Sequence, residues 1–129
     1  MKTFVSFVMA GAVAIAWTTP SAFAQSEAEM IASAESAAPA AVASAATIYG
    51  FDQAGGMITL REGSNGWWCM PDTPTTPGPD PMCGDANAMG WAMAWIGKTE
   101  PPAGKIGFFY MLAGGSDGSN TDPYAEGPT

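Results

Sequence analysis

Residues 69–83 read CMPDTPTTPGPDPMC and contain both cysteines of the chain. Five prolines lie between the cysteines, and each removes a backbone donor and fixes φ, which excludes a helix or an inner strand. An even cysteine count in an exported chain favours a disulfide, here between Cys69 and Cys83. The stretch therefore predicts a stiff, extended proline-rich loop (residues 71–81) that a disulfide closes at its base.

Such a disulfide would contribute a large share of the stability of a small domain. The chain-entropy model gives about 3 kcal/mol for a loop of about 15 residues. A reactive dithiol pair is the competing interpretation, but thioredoxin-like redox sites use a Cys-x-x-Cys spacing that this chain does not contain.

The N-terminus predicts export. Lys2 precedes an uncharged, mostly apolar run over residues 4–17, and Ala22-Phe23-Ala24 follows as a cleavage site. This three-part pattern is typical of a secretory signal peptide over residues 1–24. An uncleaved anchor is the alternative, although the run is short for a membrane span. No later stretch is long and apolar enough to predict a span after cleavage.

Composition excludes several kinds of chemistry. The 129 residues include 12 acidic, 4 basic and no histidine residues, which gives a net charge of -8. The length allows one domain. Without histidine, Ser-His and Cys-His catalysis, His-ligated metals and a His pH switch are excluded. The acidity argues against nucleic acid as a partner, because phosphate binding needs Lys and Arg.

Residues 25–46 are dominated by alanine, with serine and glutamate. Ser26 and Glu29 have the spacing of a capping box, and alanine has the highest helix propensity, so a short helix is expected over residues 27–37. Pro39 would interrupt it. Because the segment contains few large apolar residues, we expect a helical or disordered tether outside the core.

The next segments predict a three-stranded antiparallel meander. Residues 47–51 and 57–61 are rich in β-formers and are separated by a Gly-containing turn. Asn65-Gly66 is a strong hairpin dipeptide. Residues 67–70 would then return as the third strand and lead into the proline-rich loop.

A helix is expected over residues 86–96, with Asp85 as its N-cap. Its apolar residues recur at helical spacing, and it has almost no charge, which indicates a mostly covered helix. The prolines at 101 and 102 would end it.

Residues 106–112, IGFFYML, form the best strand pattern of the chain. Because both alternate faces are apolar, we expect an inner strand that is covered on both sides. The domain is predicted over residues 47–115, followed by a polar tail over 116–129. The fold class is α+β, with a small, mostly antiparallel sheet of about four strands, one main helix and the disulfide-closed loop.

The sequence from residue 60 to 125 contains LREGSNGWWCMPD, DPMC, WAMAW, KTEPPAGKIGFFYML and GGSDGSNTDPYA, in this order. These segments resemble a group of small exported bacterial proteins of unassigned function. The group's pattern is LREG-NGW-CMPD, DPMC, a Trp-rich helix, EPP-GK-GF-YML and GGSD-SNTDP. The resemblance covers about half of the precursor and brings no activity with it.

The sequence departs from the group's pattern in two places. Trp68 stands where the pattern has a smaller or polar residue. The group's chains continue into a short apolar segment that contains histidine. The resemblance therefore implies a final strand beside residues 106–112, which this sequence lacks.

Trp67 and Trp68 are candidates for partner binding, together with Pro74 and Pro77 of the proline-rich loop. Adjacent strand residues point to opposite faces, so both tryptophans cannot enter the same core face. One of them would then be exposed, and an exposed aromatic patch marks a binding surface. In the competing interpretation, a helix covers the second face and buries both.

Asp117, Ser119, Asn120 and Asp122 place oxygen donors close together in the tail. Calcium prefers such ligands, which makes these residues a candidate calcium site. The spacing is not that of an EF-hand loop, and a solvated Gly/Asn turn is the alternative.

The sequence gives weaker support for two further kinds of site, a copper site and a hydrolytic site. Thioether sulfur suits Cu(I), but core packing is the usual role of methionine, here Met70, Met82, Met89 and Met93. A pair of carboxylates can catalyse glycoside hydrolysis. A domain of this size, however, has few residues with which to enclose an active-site cleft. The candidate carboxylates are Glu62, Asp72, Asp80, Asp85, Glu100 and Asp117.

The sequence therefore favours an exported, non-catalytic binding or structural domain, periplasmic or secreted, whose partner is a protein or a carbohydrate. The alternative is a calcium- or carbohydrate-binding module. A carboxylate-dependent hydrolase is the third hypothesis.

Overall fold

A computed structural model describes residues 25–115, 121, 122 and 124. The predicted signal peptide, residues 1–24, lies outside them. The described residues form three helices and five strands. In chain order they are α1 (Glu27–Glu35), α2 (Ala40–Ala43), β1 (Thr47–Phe51), β2 (Met57–Arg61), β3 (Trp68–Met70), β4 (Met82–Gly84), α3 (Ala86–Ile96) and β5 (Phe109–Tyr110).

The strands form one mixed sheet in the order β2-β1-β3-β4-β5. β1 and β3 are parallel, and the other three neighbouring pairs are antiparallel. The α+β class and the small, mostly antiparallel sheet are thus confirmed, with five strands where about four were expected. The extra strand, β4, has only three residues and directly follows Pro81, so it has too few positions to show an alternating pattern.

The predicted meander is wrong, because β3 pairs with β1 and not with β2. Instead of forming a hairpin, Asn65 closes a local turn: its Oδ1 accepts from the Trp67 N–H at 3.0 Å, and its Nδ2 donates to the Val42 carbonyl at 2.8 Å. The chain here crosses the start of β1. Gly63 lies at the crossing, where a Cβ would overlap the backbone of Ala46 and Thr47.

The segment before β1 is helical as predicted, but its assignment as a tether outside the core is wrong. Five of its alanines lie in the main core cluster, together with Ile48 and both cysteines; they are Ala34, Ala37, Ala38, Ala43 and Ala46. Their small side chains bring α1 and α2 close to the sheet, so the segment contributes to the core without large apolar residues.

The predicted capping box at α1 is confirmed. The Glu29 N–H donates to Ser26 Oγ at 3.3 Å, and Glu29 Oε2 accepts from the Ser26 N–H at 2.8 Å. The backbone hydrogen bond from Ser26, and then the one from its hydroxyl, lower the pKa of Glu29. The stabilisation of this helix start is therefore present at neutral pH and is lost as the pH falls through the lowered pKa.

Helix α3 covers the opposite face of the sheet and begins at Asp85, as predicted: the Ala88 N–H donates to Asp85 Oδ1 at 2.8 Å. Ala88 and Ala92 pack against Trp68 and Met70. The expectation of a mostly covered helix is wrong, since three of its five longer apolar side chains are exposed; they are Trp91, Met93 and Ile96. Its alanines and the partly buried Met89 pack against the core on this face of the sheet.

The expected inner strand over residues 106–112 is also wrong. Only Phe109–Tyr110 forms a ladder, and β5 lies at the end of the strand order with β4 as its neighbour. Because β4 is three residues long, it offers little backbone for pairing. Among the described residues, no further strand covers the other side of β5.

The Cys69–Cys83 disulfide is present and joins residues that lie directly opposite each other on β3 and β4. Both cysteines are completely buried beneath α1. The bond thus closes the proline-rich loop at its base, as predicted, and also fixes the pairing of two central strands.

We expect Cys69→Ala/Cys83→Ala to lower the free energy of unfolding by about 3 kcal/mol, because the unfolded chain regains its loop entropy. Urea unfolding followed by tryptophan fluorescence measures this change. Thr75→Ala, at an exposed loop position, is the matched control and should leave the midpoint unchanged. Equal midpoints for the double variant and the native protein would contradict the prediction.

Candidate interaction surface

Asp85 holds the chain before β5 against both α3 and β4. Its backbone N–H donates to the Phe108 carbonyl at 3.2 Å, and its Oδ2 accepts from the Phe108 N–H at 3.2 Å. Its carbonyl accepts from Trp68 Nε1 at 2.8 Å. One residue therefore caps α3, anchors a core tryptophan and fixes the position of Phe108.

The β4–β5 register continues beyond the two residues of β5. Asp85 lies opposite Phe108, and Asn87 Nδ2 donates to the Ile106 carbonyl at 2.9 Å. Residues 106–110 therefore follow α3 and β4 as one extended segment. Successive side chains at the start of this segment point to opposite faces, as they do in a strand.

The segment presents large apolar side chains to solvent. Ile106 is 76%, Phe108 is 66% and Leu112 is 64% exposed. Phe109 is partly covered by Trp68 and by Trp91, whose rings lie 5.7 and 6.4 Å from its own. We call these four residues of the 106–112 segment, together with the half-exposed Trp91, the β5 edge surface. Large exposed apolar patches on soluble proteins commonly mark interaction sites.

The charge around this surface differs from that of the rest of the chain. Between Glu100 and Asp117 the only charged residue is Lys105, which directly precedes Ile106. The chain as a whole has a net charge of -8. The 106–112 segment therefore carries no charge of its own, with Lys105 before it and the Asp85 carboxylate at the Phe108 N–H.

The two tryptophans predicted to bind a partner lie on opposite faces of the sheet, as expected from their adjacency. Trp68 is 4% exposed and packs against α3, so it does not form an exposed platform. Trp67 is partly buried against the α1 side of the core, with its ring 5.4 Å from that of Tyr110. Helices on both faces of the sheet explain this burial. The exposed aromatic side chains of this region are instead Trp91 on α3 and Phe108.

In the proline-rich loop, Pro74 and Pro77 are exposed. Two of the candidate carboxylates brace this loop: Asp72 Oδ1 accepts from the Asp80 N–H at 2.9 Å, and Asp80 Oδ1 accepts from the Thr73 N–H at 3.3 Å. The loop is thus held by its own side chains as well as by the disulfide. Partner binding by its prolines stays a prediction.

The structure describes only part of the predicted calcium site. Asp117, Ser119 and Asn120 lie outside the described residues. Asp122 is exposed, and its Oδ1 accepts from the Tyr124 N–H at 2.9 Å. In the part of the chain that the structure describes, no three His, Cys, Asp or Glu residues lie close enough to hold a metal ion. Calcium binding stays a prediction.

The methionines considered for copper are divided between core and surface. Met70 is buried in the core beneath α3, and Met82 and Met89 pack against it. Met93 is exposed on α3. This distribution agrees with the ordinary packing role of methionine.

The described helices include none that is long and apolar enough to cross a membrane. No protein-family model, curated protein or solved structure matches the chain. Assignment of the surface therefore depends on its geometry. Sequence reasoning missed the β5 edge surface, although the uncharged stretch at 106–112 is visible in the sequence.

We expect Asp85→Ala to lower the free energy of unfolding by about 1–2 kcal/mol, the usual effect of losing an N-cap. It should also speed hydrogen exchange at the Phe108 amide, which loses its acceptor. Asp85→Asn is the matched control, because its side-chain oxygen can still cap α3. Equal destabilisation by both substitutions would contradict this role of Asp85.

Proposed function

We propose that this protein is an exported, non-catalytic binding domain that holds its partner on the β5 edge surface. The observation that carries the proposal is the exposure of Ile106, Phe108 and Leu112. The transfer of such side chains out of water is favourable by about 25 cal/mol per Å² of apolar surface. A partner that covers them would gain this free energy without any rearrangement of the core.

Export is supported by the signal-peptide pattern of residues 1–24 and by the disulfide. Disulfides form and persist in oxidising compartments such as the bacterial periplasm. The likeness to small exported bacterial proteins agrees with this location. We therefore propose that the mature chain works in the periplasm or outside the cell.

A non-catalytic role agrees with the hydrogen bonds of the candidate carboxylates. Asp72 and Asp80 brace the proline-rich loop, and Asp85 caps α3 and binds the Phe108 N–H. Each of these groups has a structural role where it lies. A hydrolase remains the least supported of the three hypotheses.

Carbohydrate binding is the second candidate, and one observation favours it. The Trp91 ring is 47% exposed and lies beside Phe109, which offers an aromatic face to a sugar ring. An increase in the melting temperature with added oligosaccharide would support this alternative, because a ligand that binds only the native state stabilises it. The same measurement with calcium tests the tail residues.

To test the proposal, the photoreactive residue p-benzoylphenylalanine is placed at position 108 and the exporting cells are irradiated. We expect a covalent adduct, because a bound partner would lie against this side chain. Position 57 is the matched control: Met57 is 46% exposed but lies on β2, at the other edge of the sheet. Adduct masses are measured for both variants.

Adducts of equal yield at both positions, or at neither, would contradict the proposal. Deletion of residues 73–79 separates the β5 edge surface from the proline-rich loop as the binding site. If the position-108 adduct persists in the deletion variant, the loop is not required for partner binding. Its disappearance from a folded deletion variant would favour the loop, with Pro74 and Pro77 as contacts.

A further inference from the structure

We infer that Gln25 is a modification site: it becomes the first residue of the mature chain, and its side chain then closes on its own α-amine to form a pyroglutamate. This modification depends on export, which is part of the proposed function, and it adds a site outside the β5 edge surface. Two positions carry the inference. Gln25 directly follows the expected cleavage site, and it directly precedes the residue that caps α1.

Cleavage after Ala24 makes the Gln25 nitrogen a free α-amine. The Ala22-Phe23-Ala24 pattern favours cleavage at this bond. An α-amine loses its proton near neutral pH, so part of the mature chain carries the neutral, nucleophilic form. That nitrogen can attack Cδ of its own side-chain amide. A new C–N bond forms, the bond from Cδ to Nε2 breaks, and ammonia leaves with the proton that the amine gives up. The step needs no oxidant and no second substrate.

The fold leaves Gln25 outside the hydrogen bonds that begin α1. Ser26 is the N-cap, in an extended conformation at φ -68° and ψ 155°. Its N–H donates to Glu29 Oε2 at 2.8 Å, and its carbonyl accepts from the Met30 N–H at 3.0 Å. Neither bond uses a nitrogen of Gln25, which is itself partly exposed. The ring can therefore close in the folded protein without breaking the helix start.

The position of the capping box gives the ring a protective role. After cleavage, Ser26 is the second residue of the chain, so an aminopeptidase that removes two residues removes the N-cap of α1. Loss of an N-cap destabilises a helix, and α1 places the completely buried Ala34 in the core cluster that contains both cysteines. Aminopeptidases need a free α-amine, which the lactam lacks. The lactam is also uncharged, whereas an α-ammonium group would lie at the helix end where the dipole disfavours cations.

The intact mass of the chain recovered after export tests the modification. We expect the mass of residues 25–129 with the disulfide formed, lowered by the mass of one ammonia molecule. Gln25→Asn is the matched control, because its side chain is one methylene shorter and would have to close a strained ring. This variant should begin at the same position and keep its ammonia.

Digestion with an aminopeptidase tests the protective role. We expect the native chain to keep its mass and its urea midpoint, measured by tryptophan fluorescence. The Gln25→Asn chain should lose its first residues, and its midpoint should then fall because the capping box of α1 is gone. Equal resistance of the two chains would overturn this role.

The mass also distinguishes the ways in which the inference can fail. An unmodified chain that begins at Gln25, or a chain cleaved at another bond, would overturn the inference and leave export standing. A chain that begins at Met1 would overturn both. Binding at the β5 edge surface is measured separately by the position-108 adduct, so neither result decides it.

A second source of ammonia is the Asn65-Gly66 dipeptide, where an asparagine side chain can close on the following backbone nitrogen. Gln25→Asn leaves that dipeptide intact. An equal loss of ammonia from the native chain and from Gln25→Asn would therefore assign the reaction to Asn65 and overturn the inference. A loss confined to the native chain supports it.

Discussion

The disulfide between Cys69 and Cys83 is the constraint on which the sheet depends. It joins opposite residues of β3 and β4, while Cys69 also pairs with Ile48 of β1. The bond thereby fixes β3 against β4, and backbone pairing at Cys69 joins β3 to β1. Because β3 and β4 have three residues each, their ladder alone would be weak. The bond also allows the connection between them to be long and rich in proline.

The small side chains around this bond determine how the larger ones are distributed. Alanines of the N-terminal helices cover the disulfide, Ala88 and Ala92 bring α3 onto the other face, and Gly84 leaves room for the Trp68 ring. Most of the buried apolar residues are Ala and Cys, and the large ones are Met30, Ile48, Trp68 and Met70. Ile106, Phe108 and Leu112 lie outside this core and are exposed.

The sequence correctly predicted the helix caps and the disulfide. It did not predict which strands pair with one another. The Ser26 capping box, the Asp85 N-cap and the disulfide depend on neighbouring residues or on counting, and all three are confirmed. The Asn65-Gly66 hairpin failed because the asparagine side chain bonds to Val42, a contact that sequence spacing does not show. The β5 edge surface was missed because an apolar strand pattern does not reveal whether its neighbours exist.

The two edges of the sheet differ in how they are protected. β2 ends in Arg61, which forms an ion pair with Glu35 at 2.7 Å and donates to the Ala43 carbonyl. The 106–112 segment has no charge and no proline, two of the devices by which proteins block edge-to-edge pairing. In the part of the chain that the structure describes, one edge of the sheet therefore ends at a paired charge and the other at an uncharged apolar segment.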